Sequence, residues 1–74
     1  MIKADEIKVE KEINGIRYVK ASLIADSVSE VIANGVDTTN IERLRPTDVL
    51  TMGSTALTSD MSVGFLKTNN SWQF

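Results

Sequence analysis

The dipeptide Asn14-Gly15 constrains the fold of this 74-residue chain more than any other feature of its sequence. It separates two runs, 6–13 and 16–23, in which β-branched, aromatic and charged residues predominate. Asn-Gly is the preferred centre of a two-residue type I′ turn, because both positions need a positive φ. Such a turn also fixes the register of the two strands that it joins. The sequence therefore predicts a charged N-terminal β-hairpin over residues 6–23.

The register of this hairpin predicts which of its side chains face the core. Counting outward from the turn places Val9 opposite Lys20. The face expected to be buried carries Ile7, Val9, Ile13, Ile16 and Tyr18. Lys11 and Lys20 interrupt that face, and we expect their aliphatic stems to lie over Tyr18 or to reach the rim. The alternative is a basic and aromatic surface on which a ligand or a single nucleic-acid strand stacks.

A change of hydrophobic period after the hairpin predicts a short helix over residues 26–33. Its apolar stripe, at the spacing of one helical face, consists of Ile24, Val28, Val31 and Ile32. Asp26 or Ser27 can cap the start of the helix, and Asn34-Gly35 is suited to its end. The alternative is a strand that continues through this segment. Asp26 and Glu30 would share a helical face, but the pattern places no further oxygen ligand beside them for a divalent cation.

Residues 36–48 are predicted to form a loop that contains one helical turn. Asn40 can cap a turn over residues 41–44. Arg45 precedes Pro46, and the residue before a proline disfavours helix. This segment therefore connects the helix to the second half of the chain.

Charge is distributed unevenly along the chain. Residues 1–45 contain 15 of the 18 charged side chains, whereas residues 49–74 are rich in Ser and Thr interleaved with apolar residues. The second pattern favours a half-buried pleated sheet, and polar breaks near 59–60 and 68–71 divide it into a β-meander or paired hairpins. A sheet with so few charges is weakly protected against edge pairing, so we expect it to be able to recruit another chain.

The bulky residues of this last block are the candidate interface. They are Met61, Val63, Phe65, Trp72 and Phe74. The first three alternate on one face of a predicted strand, and the last two are again spaced by two. Aromatic and sulfur-containing side chains either close a core or anchor an interface, and the sequence leaves both interpretations open for these five residues.

These patterns predict a single small domain over residues 1–74 that is mainly β with one short α-helix, and an α+β arrangement is the alternative. Neither Cys nor His occurs in the chain. Their absence removes thiolate nucleophiles, the commonest zinc ligands and the usual general base near neutral pH. We therefore expect no catalytic, cofactor-binding or metal-binding residues and no enzymatic activity.

The composition also argues against several classes of partner. A net charge of −2 and a pI of about 4.9 contrast with the basic patch that is typical of nucleic-acid binding. The apolar runs of two to three residues are far shorter than the roughly 20 residues needed to cross a bilayer. We expect neither a nucleic-acid partner nor a membrane partner, and the cytoplasm is the expected place of synthesis.

Three segments carry a resemblance to a known group of proteins. They are Ala25-Asp-Ser-Val-Ser-Glu-Val31, Gly53-Ser-Thr-Ala-Leu-Thr58 and Val63-Gly-Phe-Leu-Lys-Thr-Asn-Asn-Ser-Trp72. Over residues 25–74 this order resembles short virion-associated structural proteins that are encoded among the head and tail genes of tailed bacteriophages and prophages. The resemblance implies a structural role in the particle without enzymatic activity.

The expected function is that of a non-enzymatic structural or assembly protein of a bacteriophage or prophage particle, which acts through sheet packing or self-association. Its expected partners are copies of itself, in a homo-oligomer, or other phage structural proteins. Its expected location is the host cytoplasm during synthesis and the virion thereafter. The alternative is a small regulatory protein-binding module, such as a phage-encoded inhibitor or adaptor of a host protein.

Overall fold

The computed structural model describes residues 1–74, which form a mainly β fold with one short α-helix, as the sequence predicts. The strands are β1 (Ile2–Ile13), β2 (Ile16–Ala25), β3 (Ile41–Glu42), β4 (Val49–Leu50), β5 (Thr55–Thr58), β6 (Val63–Leu66) and β7 (Trp72–Gln73). Helix α1 spans Val28–Asn34, and a 3₁₀ helix spans Thr38–Asn40.

All seven strands belong to one mixed sheet. The order across the sheet is β3-β1-β2-β5-β6-β7, and β4 also pairs with β2. Strands β1 and β2 form an antiparallel hairpin, and β5, β6 and β7 form an antiparallel meander. The two units join through parallel pairing of β2 with β4 and β5. Both the hairpin and the meander confirm the strand predictions for the two halves of the chain.

The N-terminal hairpin turns at Asn14-Gly15. Both residues have a positive φ, 53° for Asn14 and 79° for Gly15, as a type I′ turn requires. Next to the turn the register is the predicted one, with Ile13 opposite Ile16. The hairpin is longer than predicted, because its pairing continues to the first residues of the chain.

Two β-bulges interrupt the pairing of β1 with β2. The register shifts between Ala4 and Glu6 and again between Val9 and Lys11, which leaves one extra residue in β1 at each place. Val9 therefore lies opposite Val19, and the predicted pairing of Val9 with Lys20 is wrong. Counting away from the turn, each extra residue moves the next side chains of β1 to the other face of the sheet.

For the same reason the predicted core face of the hairpin is wrong for Ile13 and Ile16 but right for Ile7, which packs against the core. In β2 the buried side chains belong to the alternate set, Val19, Ala21, Leu23 and Ala25. Ile13 and Ile16 lie near the end of the hairpin and are exposed. We call the side of the sheet that carries the buried set the core face, and the opposite side the open face. The bulges place Ile7 and Val9 on the core face, across from Ala21 and Val19.

The core lies between the core face and the segments that cover it. It consists of Ile2, Ala4, Val19, Ala21, Leu23, Ala25, Val31, Ile41, Leu50, Ala56 and Leu66. Helix α1 contributes Val31, and the half-buried Val36, Leu44 and Trp72 pack against the same cluster. Helix and loop therefore cover one face of the sheet only.

Helix α1 begins two residues later and ends one residue later than predicted, and Ser27 and Gly35 cap it as the sequence indicates. The Ser27 hydroxyl accepts a hydrogen bond from the backbone N–H of Glu30, and the Gly35 N–H donates to the carbonyl of Val31. Of the predicted apolar stripe, Val31 alone is fully buried. Ile24 belongs to β2 instead, so the stripe combined residues of two elements.

The loop over residues 36–48 differs in detail from its prediction. The helical turn is the 3₁₀ helix Thr38–Asn40, which Asp37 caps by accepting from the N–H of Thr39. Ile41, expected inside a helical turn, begins β3 and pairs with Ile2. Pairing with β1 places the Ile41 side chain in the core.

Candidate functional site

An apolar patch crosses the open face of the sheet. Ile24, Leu57 and Val63 are cross-strand neighbours on β2, β5 and β6, and Phe65 lies two residues beyond Val63 on the same face. Their exposed fractions lie between 44% and 57%. We call these four residues the apolar patch. Scattered exposed apolar side chains are normal, but adjacent ones on several strands are typical of an interaction surface.

A lysine group lies on the same face toward the hairpin turn. Lys8 and Lys20 are direct cross-strand partners, an arrangement in which like charges repel. The Nζ atom of Lys11 lies 5.0 Å from the centre of the Tyr18 ring, within the range of a cation–π contact. The expectation that a lysine covers Tyr18 is thus confirmed for Lys11. We call Lys8, Lys11 and Lys20 the lysine group.

A shallow groove of about 440 Å³ separates the lysine group from the apolar patch. Its lining includes Glu6, Lys20, Ser22, Gly53 and Thr55. Gly53 has a φ of 100°, and a Cβ at this position would lie 3.0 Å from Cε of Lys20. The lining is mostly polar, whereas sites for small organic ligands are mostly apolar and concave.

Ser54 holds the strands that border this groove together. Strands β4 and β5 both run beside β2, and the residues between them leave the sheet for one turn. The buried Ser54 hydroxyl fills the gap, because it accepts from the N–H of Ala21 at 3.2 Å and donates to the carbonyl of Thr51 at 2.8 Å. The backbone of β2 therefore stays paired across the interruption.

The sequence-predicted interface residues do not form one surface. Val63 and Phe65 lie on the open face, whereas Trp72 and Phe74 lie on the core face. Trp72 pairs with the buried Leu66, and the Phe74 ring lies against Gly64. Met61 is 85% exposed in the turn before β6. The two faces of a sheet cannot contact one flat partner together, so the five-residue interface divides into two groups.

Trp72 and Phe74 have partners within the chain. The indole Nε1 of Trp72 donates to the carbonyl of Gly35 at 3.0 Å, and the ring packs against the core. The Phe74 ring covers Gly64 so closely that a Cβ there would lie 2.5 Å from a ring carbon. These contacts agree with the core interpretation for Trp72, whereas Phe74 covers Gly64 but remains 41% exposed.

Two members of the apolar patch, Ile24 and Leu57, were missed by sequence reasoning. Ile24 has the spacing of the predicted helical stripe and was therefore assigned to it, although the residues from Arg17 to Ile24 also alternate as in a strand. Leu57 follows Ala56 directly, and adjacent residues of a strand point to opposite faces. Because both residues are apolar, the sequence does not indicate which of them is buried. The parallel pairing of Ile24 with Leu57 is a long-range contact that no local pattern encodes.

One buried ion pair connects the hairpin to the loop before β4. Nε and Nη2 of Arg17 donate to Oδ1 and Oδ2 of Asp48 at 2.9 and 2.7 Å, and the backbone N–H of Arg45 donates to the same carboxylate. The Arg17 hydrogen bonds hold the pKa of Asp48 below its ordinary value although burial acts in the opposite direction. A general acid or base needs a pKa near the working pH, so this pair has a structural role.

Asp26 and Glu30 come together, as their spacing predicts. Each carboxylate accepts a hydrogen bond from the amino group of Met1 at 2.7 Å. These hydrogen bonds raise the pKa of the amino group, and the one to Asp26 has the larger effect. The structure holds no group of three or more Asp or Glu side chains that could bind a metal ion together. An ammonium group therefore occupies the space between these two carboxylates.

Comparisons with known proteins leave the family open. No protein-family model, curated protein or solved structure matches this chain. None of its helices has the length and apolar character needed to cross a membrane. The candidate site is the open face of the sheet, with its apolar patch, groove and lysine group.

Proposed function

We propose that this chain is a non-enzymatic structural or assembly protein that packs the open face of its sheet against another protein surface. The observation that carries this proposal is the apolar patch, which spans three adjacent strands on the side of the sheet that no helix or loop covers. An apolar patch on the uncovered face of a sheet gains stability when a second layer covers it.

Contact through the open face is favoured over pairing at the sheet edges. Beyond its short pairing with β3, the outer edge of β1 contains both bulges and alternating acidic and basic residues. The other edge strand, β7, is two residues long. Bulges, charges and short edge strands all hinder the addition of another strand. The edge recruitment expected from the sequence is therefore replaced by packing of faces.

The setting that we propose is the particle of a bacteriophage or prophage. This part of the proposal is supported by the sequence resemblance of residues 25–74 to virion-associated structural proteins. A packing surface without an assembled catalytic group agrees with a structural role. The surface partner is then a second copy of this chain or another structural protein of the particle.

Substitution of Phe65 tests the proposal. Phe65→Ser removes the most exposed side chain of the apolar patch, so we expect self-association, or binding to purified head and tail proteins encoded by neighbouring genes, to weaken at least about tenfold, or 1.4 kcal/mol. Analytical ultracentrifugation over a concentration series measures the first, and calorimetric titration measures the second.

Ile32→Ser is the matched control, because Ile32 is an equally exposed aliphatic residue on helix α1, which lies on the core side. This control is expected to behave as the wild type. A wild-type chain that neither self-associates nor binds those structural proteins would contradict the proposal, as would equal effects of the two substitutions.

A further inference from the structure

We infer that the surface which covers the open face is a second copy of this chain, packed face to face with its strands antiparallel to those of the first. The two copies are related by a two-fold axis that lies in the interface, perpendicular to the strands, and crosses β2 at Leu23. The inference rests on the proposed function and specifies its partner and its register.

The two members of the apolar patch on β6, Val63 and Phe65, are complementary to each other about this axis. Leu23, Ala56 and Gly64 form one row of cross-strand neighbours, and the axis runs along this row on the open face. The next row on one side is Ile24, Leu57 and Val63, and the next row on the other side is Ser22, Thr55 and Phe65. The two-fold rotation exchanges these rows, so Val63 of each copy lies over Phe65 of the other. On β2 and β5 it places Ile24 over Ser22 and Leu57 over Thr55.

The charges nearest the axis are also complementary. On β1, Lys3 belongs to the row of Ile24, and Glu6 belongs to the row of Ser22. The same rotation therefore places Lys3 of each copy over Glu6 of the other, twice in the dimer. Lys3 also has Glu42 beside it in its own chain, whereas no ion pair to Glu6 forms within the chain.

The lysine group meets an acidic end in this arrangement. Lys20 lies three residues from the axis on one side, and Asp26 lies three residues from it on the other. The backbone N–H of Ser59 donates to the carbonyl of Ala25, which places Asp60 beside the same end of β2. Lys20 of one copy then approaches Asp26 of the other, whose carboxylate also accepts a hydrogen bond from the amino group of Met1 in its own chain.

Other orientations lack this match. A two-fold axis along β2 would leave each residue at the same position along the strand direction in both copies. The Lys20 residues of the two copies would then approach each other near the axis. Sheets that pack face to face keep their strands within about 30° of one another, as antiparallel stacking permits.

Charge-reversal variants mixed in solution test the register. Lys3→Glu places two carboxylates opposite each other at both contacts of the dimer, and Glu6→Lys places two ammonium groups there. Each variant is therefore expected to dimerise more weakly than the wild type. An equimolar mixture of the two restores both opposite-charge contacts, and we expect its heterodimer to form at least tenfold more tightly than either homodimer. Sedimentation equilibrium measures all three affinities, and Glu12→Lys, on the other face of β1, is the control.

A thiol pair gives a second readout, because the chain contains no Cys. Lys3→Cys mixed with Glu6→Cys should cross-link through a short bis-maleimide reagent faster than either variant alone. A monomeric wild type would overturn this inference while leaving binding to other structural proteins open to the Phe65→Ser test. A wild-type dimer that Phe65→Ser dissociates, but whose variants show no recovery on mixing, would overturn the register and retain the proposed function.

Discussion

Gly64 is a residue at which the sheet has no room for a side chain. It lies on the core face of β6, and the ring of Phe74 occupies the space that a Cβ would need. The glycine thus allows the last residue of the chain to fold back over the meander. Its requirement is steric, because its φ is not in the positive range in which glycine is favoured.

Gly64→Ala is expected to lower the free energy of unfolding by about 1–3 kcal/mol, the usual cost of overfilling a packed site. In a Phe74→Ala background the same change should cost much less, because the ring that it displaces is gone. Urea denaturation of the four chains measures the coupling. Equal costs in both backgrounds would show that the Phe74 ring is not the obstacle.

The Arg17–Asp48 pair predicts a dependence of stability on pH. Because Arg17 lowers the pKa of Asp48 in the folded chain, its ionised carboxylate stabilises the fold above the ordinary pKa of about 3.9. That contribution is lost as the pH falls through the lower, folded-state pKa. We expect Asp48→Asn to be less stable at neutral pH and to lose less stability than the wild type between about pH 4 and pH 2.

Urea unfolding of both chains over this pH range checks the prediction. Asp48 is the one ionisable group that differs between the two chains, so the difference between the two curves isolates its contribution. Parallel curves for the wild type and Asp48→Asn would contradict the assignment.

Among the elements, β1 depends most on where its extra residues lie. Without the bulges at Asp5 and Glu10, strict alternation from the turn would place Ile7 and Val9 on the open face. The Glu10 bulge puts both on the core face. The Asp5 bulge then keeps Ile2 and Ala4 on that face, and Nη1 of Arg43 donates to the carbonyls of Ala4 and Asp5 at this bulge.

Deletion of Glu10 is therefore expected to be tolerated, with a loss of about 1 kcal/mol. The shortened strand can pair Lys11 with Tyr18 and Val9 with Val19 without a bulge, so no side chain changes face. Deletion of Lys20 is the contrasting change, because β2 has neighbours on both sides and no bulge to absorb it.

That second deletion should abolish cooperative unfolding, since the buried residues of β2 would turn to the open face. Circular dichroism with urea denaturation measures both effects. A Glu10 deletion as damaging as the Lys20 deletion would contradict this account of the bulge.

At the scale of the whole molecule, the sequence predicts what is encoded locally. Asn14-Gly15 has one favoured turn, and Ser27 and Gly35 have specific capping roles, so the hairpin and helix follow from a few residues each. The bulges leave no comparable signal, because Asp5 and Glu10 stand among other charged residues. The face that each strand buries was therefore predicted incorrectly for the hairpin.

The candidate site was predicted only in part, for a related reason. Val63 and Phe65 alternate in one strand, and that local pattern suffices to place them together. Trp72 contacts the carbonyl of Gly35, 37 residues away, and no pattern in its own segment indicates which face it takes. Long-range strand pairing determines which side chains lie together on one face of the sheet. The hydrophobic periodicity of a single segment does not predict this pairing.

The central position of β2 also determines the order in which the chain can fold. Its pairing with β1 closes a two-residue loop, whereas its pairing with β5 joins Ser22 to Thr55 across the helix and the long loop. Short loops close at a small entropic cost, and non-local strand pairs form more slowly. On a ribosome the hairpin would assemble first and wait, with one edge of β2 unpaired, until β4 and β5 had been synthesised.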